Sequence, residues 1–243
     1  MKRSARYPGT YTGHGDLGSS LVLIFPLLLA YEIGVLFAGR VNGADLVTRA
    51  VFTAAGSRAV YLAIYAVVAA GFLLWIRQTR RRGTLRLEIA GPVILEAALY
   101  ALTLGAFVSL VVDHLFGRLF GHLFGQQLAL GLTAPSVISA LGAGVHEELV
   151  FRLGLIAGLL SLARPIGHLI EQRIAVALAI AVSSLVFAAA HHLGAHGEPW
   201  TGHAFAFRAV AGAAFGAIFW FRSLAHAVYA HVLYDVLVAA TTA

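Results

Sequence analysis

Five titratable side chains stand inside strongly apolar sequence in the second half of the chain. Glu147 and Glu148 lie in GVHEELVFRLG, His191 closes LVFAAAHH, and His231 and Asp235 lie in HAVYAHVLYD. A carboxylate with an imidazole can hold and deprotonate a water. A second imidazole with a polar neighbour can hydrogen-bond a developing oxyanion. Together these parts suffice for amide hydrolysis. Glu147, His191 and His231 could instead coordinate a divalent cation, since one Glu and two His form a hydrolytic zinc set. Helical spacing makes Glu148 and Arg152 an i,i+4 ion pair. It also turns Glu147 about 100° away from Glu148. One carboxylate is then neutralised while the other faces the interior. His231 and Asp235 share a face by the same i,i+4 rule.

Each group also has a purely structural reading. Glu147, Glu148 and Arg152 could be a buried ion cluster. Histidines near a helix end, such as His192 or His196, suit an interface. His231 and Asp235 could be an interhelical hydrogen-bonding pair. All of them in consecutive apolar segments point to chemistry, because charge inside a membrane is costly and faces the bundle interior.

The elements that must position these groups are membrane helices. The chain has 243 residues, 60% hydrophobic and 12% charged, with a mean hydropathy of +0.85. A soluble domain carries about 25% charged residues. Apolar runs cover about Leu17 to Ala38 (with Glu32), Ala59 to Ile76, and Ile89 to Val112 (with Glu96). A fourth helix starts at Thr133-Ala134-Pro135, with Pro in its first turn, and runs to about Leu162. Further runs cover Ile174 to His191, Ala204 to Phe221 and Ser223 to Ala240. The expected fold is an all-α polytopic transmembrane bundle of about seven spans, within six to eight. It forms a single membrane domain over residues 1–243. Gly154/Gly158 and Gly212/Gly216 are small-xxx-small pairs that allow close helix approach. Residues 114–125, HLFGRLFGHLFG, repeat every four residues and fit a short interfacial helix or a glycine-striped packing helix.

Charge sets orientation and excludes some partners. Net charge is +6, and all but one of the 17 Lys and Arg are Arg. No basic run is interleaved with stacking aromatics, so nucleic acid is not an expected partner; membrane lipid is. The absence of cysteine excludes disulfides, thiolate metal sites and a cysteine nucleophile. The N-terminal residues do not read as a cleavable signal peptide. Lys2, Arg3 and Arg6 and the segment Arg77, Arg80, Arg81, Arg82 and Arg86 are separated by two spans, so they share a side. The positive-inside rule makes that side cytoplasmic. The expectation is a multi-pass protein of the inner (plasma) membrane with a cytoplasmic N-terminus. His191 then lies roughly 26 Å along its span, so the site opens toward the outer face.

The three motifs, Glu147-Glu148-x-x-x-Arg152, Phe187-x-x-x-His191 and His231-x-x-x-Asp235, resemble those of the CPBP family. These are the CAAX-processing and bacteriocin-processing intramembrane endopeptidases. The resemblance covers roughly residues 134–240, which it marks as a catalytic core. It implies an α-helical membrane protease in which Glu147 and His191 activate water. His231 with Asp235 would stabilise the oxyanion, and Glu148, Arg152 and Phe187 would support. Asp235 stands where prenyl-CAAX enzymes typically have Asn, so it would orient His231 or be protonated. Family members have been described as metalloproteases and as metal-independent glutamate proteases. The metal-independent form is favoured, with Zn2+ on Glu147, His191 and His231 as the alternative. The implied substrate is a membrane-associated or C-terminally membrane-anchored protein.

Other intramembrane proteases fit less well. Val150 stands where HExxH needs its second histidine. Tyr234-Asp235 lacks a partner Asp in a GxGD context, and Ser183-Ser184 lack flanking glycines. Two readings of another class remain. One is a transporter using Glu32, Glu96 and Arg208 as a polar path. The other is a non-catalytic immunity or scaffold protein retaining a protease fold.

Overall fold

The computed structural model describes residues 17–38, 46–81, 87–116, 132–163, 170–193 and 197–241. The described residues form eight helices. They are α1 (Leu17–Ala38), α2 (Leu46–Ala55), α3 (Arg58–Arg81), α4 (Ala90–Phe116), a composite α5 over 134–163, α6 (Gln172–Ala190), α7 (Gly202–Phe221) and α8 (Leu224–Thr241). Six of them, α1, α3, α4, α6, α7 and α8, are long and apolar enough to cross a membrane. The seventh expected span is α5, built from three segments of 9, 14 and 7 residues. The short α2 lies between the first two apolar runs, in a stretch that neither of them covers. Residues 117–125 of the four-residue repeat lie outside the described residues.

Burial is uneven across the bundle, and the unevenness locates the site. In α8, 44% of the apolar window is buried against protein, against 6% in α3. Helix α8 touches α1, α4, α5 and α7. Only Tyr61 of α3 is buried, so the described residues cover little of this apolar helix. Of the two glycine pairs, Gly212/Gly216 makes the close approach. A Cβ on Gly212 would stand 3.1 Å from the Cα of Ser184, and one on Gly216 would stand 3.0 Å from Ile180. Those contacts press α7 onto α6. Gly158 has open space around it, and Gly154 meets only a carbonyl of its own helix.

The capping at the start of α5 follows its sequence. Thr133 accepts from the Ser136 amide while the Ser136 hydroxyl accepts from the Thr133 amide, and Pro135 sits in the first turn. Ala134–Gly142 is α-helical. From Ala143 to Ile156 the helix widens to π geometry, and the amide of Ala157 still reaches the carbonyl of Arg152 five residues back. Such widening concentrates at functional sites. It turns less per residue than the α-helical spacing used above, so Glu147 and Glu148 diverge by less than about 100°.

Candidate active site

Glycine brings the widened helix against its neighbours. A Cβ on Gly144 would lie 2.3 Å from the Val232 side chain and 2.9 Å from the Val232 backbone nitrogen. Only glycine lets this turn sit directly on the α8 backbone. The turn that follows presents Glu147 and Glu148 toward His231.

Glu148 is fully buried. Its Oε2 lies 3.1 Å from Arg152 Nε, the expected i,i+4 ion pair. Its Oε1 lies 2.7 Å from His231 Nδ1, a contact between helices that spacing along one helix does not reveal. Arg152 is buried with it. Its NH2 donates to the Gly212 carbonyl at 3.2 Å, and its guanidinium lies 4.5 Å from the Phe187 ring centroid and 5.5 Å from that of Phe215. The cation is thus held between two aromatic faces. The Phe187 ring also packs against His191 at 4.5 Å and edge-on to Phe151 at 5.4 Å. Phe215 stacks on His231 at 4.4 Å. The Ser183 hydroxyl donates to the Phe151 carbonyl at 2.7 Å, tying α6 to the widened helix.

Glu147 is 5% exposed. Its Oε2 lies 3.6 Å from His191 Nε2 and 3.9 Å from His231 Nε2, and it accepts no hydrogen bond among the described residues. His231 Nε2 is also 3.7 Å from Asp235 Oδ2, whose side chain is 27% exposed. The four residues expected to carry the chemistry therefore meet at one place, brought by α5, α6 and α8.

The imidazole tautomers follow from their partners. His191 Nδ1 lies 2.8 Å from the Phe187 carbonyl, an acceptor only, so Nδ1 carries the proton. His231 Nδ1 donates in the same way to the Glu148 carboxylate. Both histidines thus turn Nε2 toward Glu147. A fixed ring with one committed nitrogen leaves the other to exchange a proton.

Residues 129–237 match the sequence model of the Rce1-like type II CAAX prenyl endopeptidases. This segment is an Rce1-like CAAX prenyl endopeptidase domain. No curated protein and no solved structure matches the chain. The Rce1-like domain runs from just before α5 into α8. It contains the EExxxR, FxxxH and HxxxD residues described above. The chain is therefore a multi-pass helical membrane protein bearing a membrane-protease domain, and that family implies a protein substrate.

Two residues near the site were not singled out for catalysis in the sequence. Arg208 of α7 is ion-paired with Glu198, and it is within electrostatic reach of Glu147 and Asp235. As a lone charge inside the run from Ala204 to Phe221, Arg208 was legible as an anomaly, but not its partner. Glu198 closes a turn over the end of α6: its amide donates to the His191 carbonyl at 2.8 Å, and its own carbonyl accepts from His192 Nδ1 at 3.0 Å. His196 lies outside the described residues. Glu32, Glu96 and Arg208, the path of the transporter reading, engage three separate sets of partners. Glu32 meets Thr48 and Tyr61; Glu96 meets Arg222 and Tyr100; Arg208 meets Glu198. Among the described residues, no group of three or more His, Cys, Asp or Glu converges closely enough to hold a metal ion.

Proposed function

We propose that the chain is an intramembrane endopeptidase in which Glu147 and His191 activate water to hydrolyse a peptide bond. The substrate is a membrane-associated or C-terminally membrane-anchored protein. The observation that carries this reading is the buried Glu147 Oε2, faced by His191 Nε2 at 3.6 Å and His231 Nε2 at 3.9 Å. Both gaps exceed a direct hydrogen bond. A substrate water between these groups would touch the carboxylate and an imidazole at once.

In this mechanism the water oxygen attacks the scissile carbonyl carbon while Glu147 takes its proton, with His191 Nε2 accepting a hydrogen bond from the same water. The carbonyl oxygen becomes an oxyanion. His231 meets it with Nε2–H, and because Nδ1–H is already given to Glu148, this form is the imidazolium. Glu148 and Asp235 supply its counter-charge. When the tetrahedral carbon collapses, the C–N bond breaks and the proton held by Glu147 passes to the leaving amine. The products are a carboxylic acid and an amine. Glu148 and Arg152 hold His231 and the helix turn in place, and Phe187 backs His191.

We assign catalysis to a core over residues 134–240 within a single membrane domain spanning 1–243. The basic residues of the N-terminus and of 77–86 support a cytoplasmic N-terminus in the inner membrane. His191 ends α6 at the opposite end from Arg173, which supports a site opening toward the outer face. Exported proteins with a C-terminal membrane tail suit that opening.

The deciding experiment is a cleavage assay on membrane-tailed candidate substrates with Glu147→Ala and His191→Ala, with and without a chelator. Both variants are expected to lose cleavage. Unchanged cleavage in both rejects the mechanism. Loss on chelation that zinc restores favours the metal form on Glu147, His191 and His231. Single-cysteine probes near Glu147 that label only from the cytoplasm reject the outward opening.

A further inference from the structure

Residues 1–128 lie outside the family match at 129–237, yet they touch the helix that carries Glu147 through a charged side chain. Glu32 of α1 is 3% exposed. The Thr48 hydroxyl of α2 donates to its two oxygens at 3.0 and 3.2 Å, and the Tyr61 hydroxyl of α3 donates to Oε2. Its Oε1 also lies 3.7 Å from His146 Nε2. Helices α1, α2 and α3 thus meet at one buried carboxylate, which also lies beside His146, the residue just before Glu147.

His146 is held from three directions. Its Nδ1–H donates to the Gly142 carbonyl at 3.2 Å. Tyr31, next to Glu32 on α1, packs its ring 4.9 Å from the imidazole. Tyr31 gets that close because Gly142 has no side chain; a Cβ there would stand 2.3 Å from the ring. Glu32 closes the third side. A buried ionic group is a poor stabiliser compared with an apolar residue of similar volume, so cohesion alone does not account for it. Its position is specific: it stands 3.7 Å from the ring of the residue that shares the widened turn with Glu147.

We infer that Glu32 is a positioning residue for the site, acting through His146 to set the rotation of the turn that carries Glu147. The inference rests on the endopeptidase reading only for its effect on rate. On this view α1, α2 and α3 aim the site as well as frame it.

The test uses the full chain in detergent micelles with two measurements, histidine side-chain nitrogen NMR and cleavage kinetics. Glu32→Gln keeps the size and leaves an acceptor for Thr48 and Tyr61. It is expected to move the His146 resonances together with those of His191 and His231. It is also expected to lower kcat about tenfold, with KM within about twofold, as misplacement of a reacting group does. Tyr61→Phe loosens the same carboxylate from its far side but leaves the contact with His146, so kcat should stay within about twofold of the parent. The pair Glu32→Gln with His146→Asn should be no slower than His146→Asn alone. The idea is overturned if Glu32→Gln moves only the His146 resonances, if Tyr61→Phe slows kcat as much, or if the two losses multiply. A parent chain that does not cleave would end the endopeptidase reading, while the spectra would still decide whether Glu32 sets the surroundings of His191 and His231.

Discussion

His231 of α8 and Glu148 of α5 meet at 2.7 Å, from Nδ1 to Oε1, while the other oxygen of the same carboxylate lies 3.1 Å from Arg152 Nε. One buried side chain therefore neutralises a cation on its own helix and orients a histidine on another. Glu148→Gln should destabilise the bundle by about 3–5 kcal/mol, because it leaves buried Arg152 without its counter-ion. Thermal unfolding in micelles measures this. Replacing Glu148 and Arg152 together by Met should recover most of the stability, yet leave His231 without its partner. Stability and cleavage should then part company in the double variant; if both return, Glu148 serves only the ion pair.

Glu147 behaves differently, because its Oε2 accepts no hydrogen bond among the described residues and its facing imidazole nitrogens stand off at 3.6 and 3.9 Å. Glu147→Gln should leave the melting temperature unchanged or raised. Cleavage should fall by about 10²–10⁴-fold, the scale of a lost general base. Parallel melting and initial-rate measurements separate this result from misfolding.

Gly144 and Gly158 make a paired comparison. A Cβ at Gly144 meets the α8 backbone at 2.9 Å, whereas Gly158 has nothing within 4 Å. Gly144→Ala should cost about 1–3 kcal/mol through overpacking. It should also reduce cleavage by moving Glu147 away from His231. Gly158→Ala should stay within about 0.5 kcal/mol of the parent. Equal effects at both positions would mean that close approach of α5 and α8 does not govern the site.

The turn over the end of α6 carries a pH signature. Burial pushes the Glu198 carboxyl up, but Arg208 beside it outweighs burial and holds it below the usual carboxylate range. His191 and His192 add to that lowering. A lowered carboxyl contributes stability above its unfolded value of about 4.3. That contribution is lost as pH falls through the folded value. The parent should therefore melt higher than Glu198→Gln at neutral pH, and the gap should close as pH drops below about 4. Trp200, in the same turn, provides a fluorescence readout. A gap that persists in acid would show that the Glu198–Arg208 ion pair is not its source.

The helices were legible in the sequence because lipid demands long apolar runs. The run from Leu17 to Ala38 coincides with α1, and α6, α7 and α8 begin and end within two residues of their expected bounds. The Glu148–Arg152 pair was legible for a similar reason, since i,i+4 spacing along one helix is fixed by the backbone. Hydropathy could not register α2, a short helix within a connection. It could not register the widening of α5 either, because both helical forms present the same apolar composition.

Local sequence determined the membrane bundle, the three motifs and the residue types able to activate water. Only the tertiary structure decided that Glu148 holds His231, that Arg208 pairs with Glu198, and that Glu32 lies beside His146. Two of those contacts join helices far apart in the chain, at separations of 83 residues for Glu148–His231 and 114 for Glu32–His146, and the third ties the turn after α6 to α7, 10 residues on, through Glu198–Arg208. Helical periodicity governs directions along one element. The facing of two elements is set by where glycines leave room for a neighbour, as Gly142 does for the Tyr31 ring and Gly144 for the Val232 backbone, and by which buried charges must find a partner.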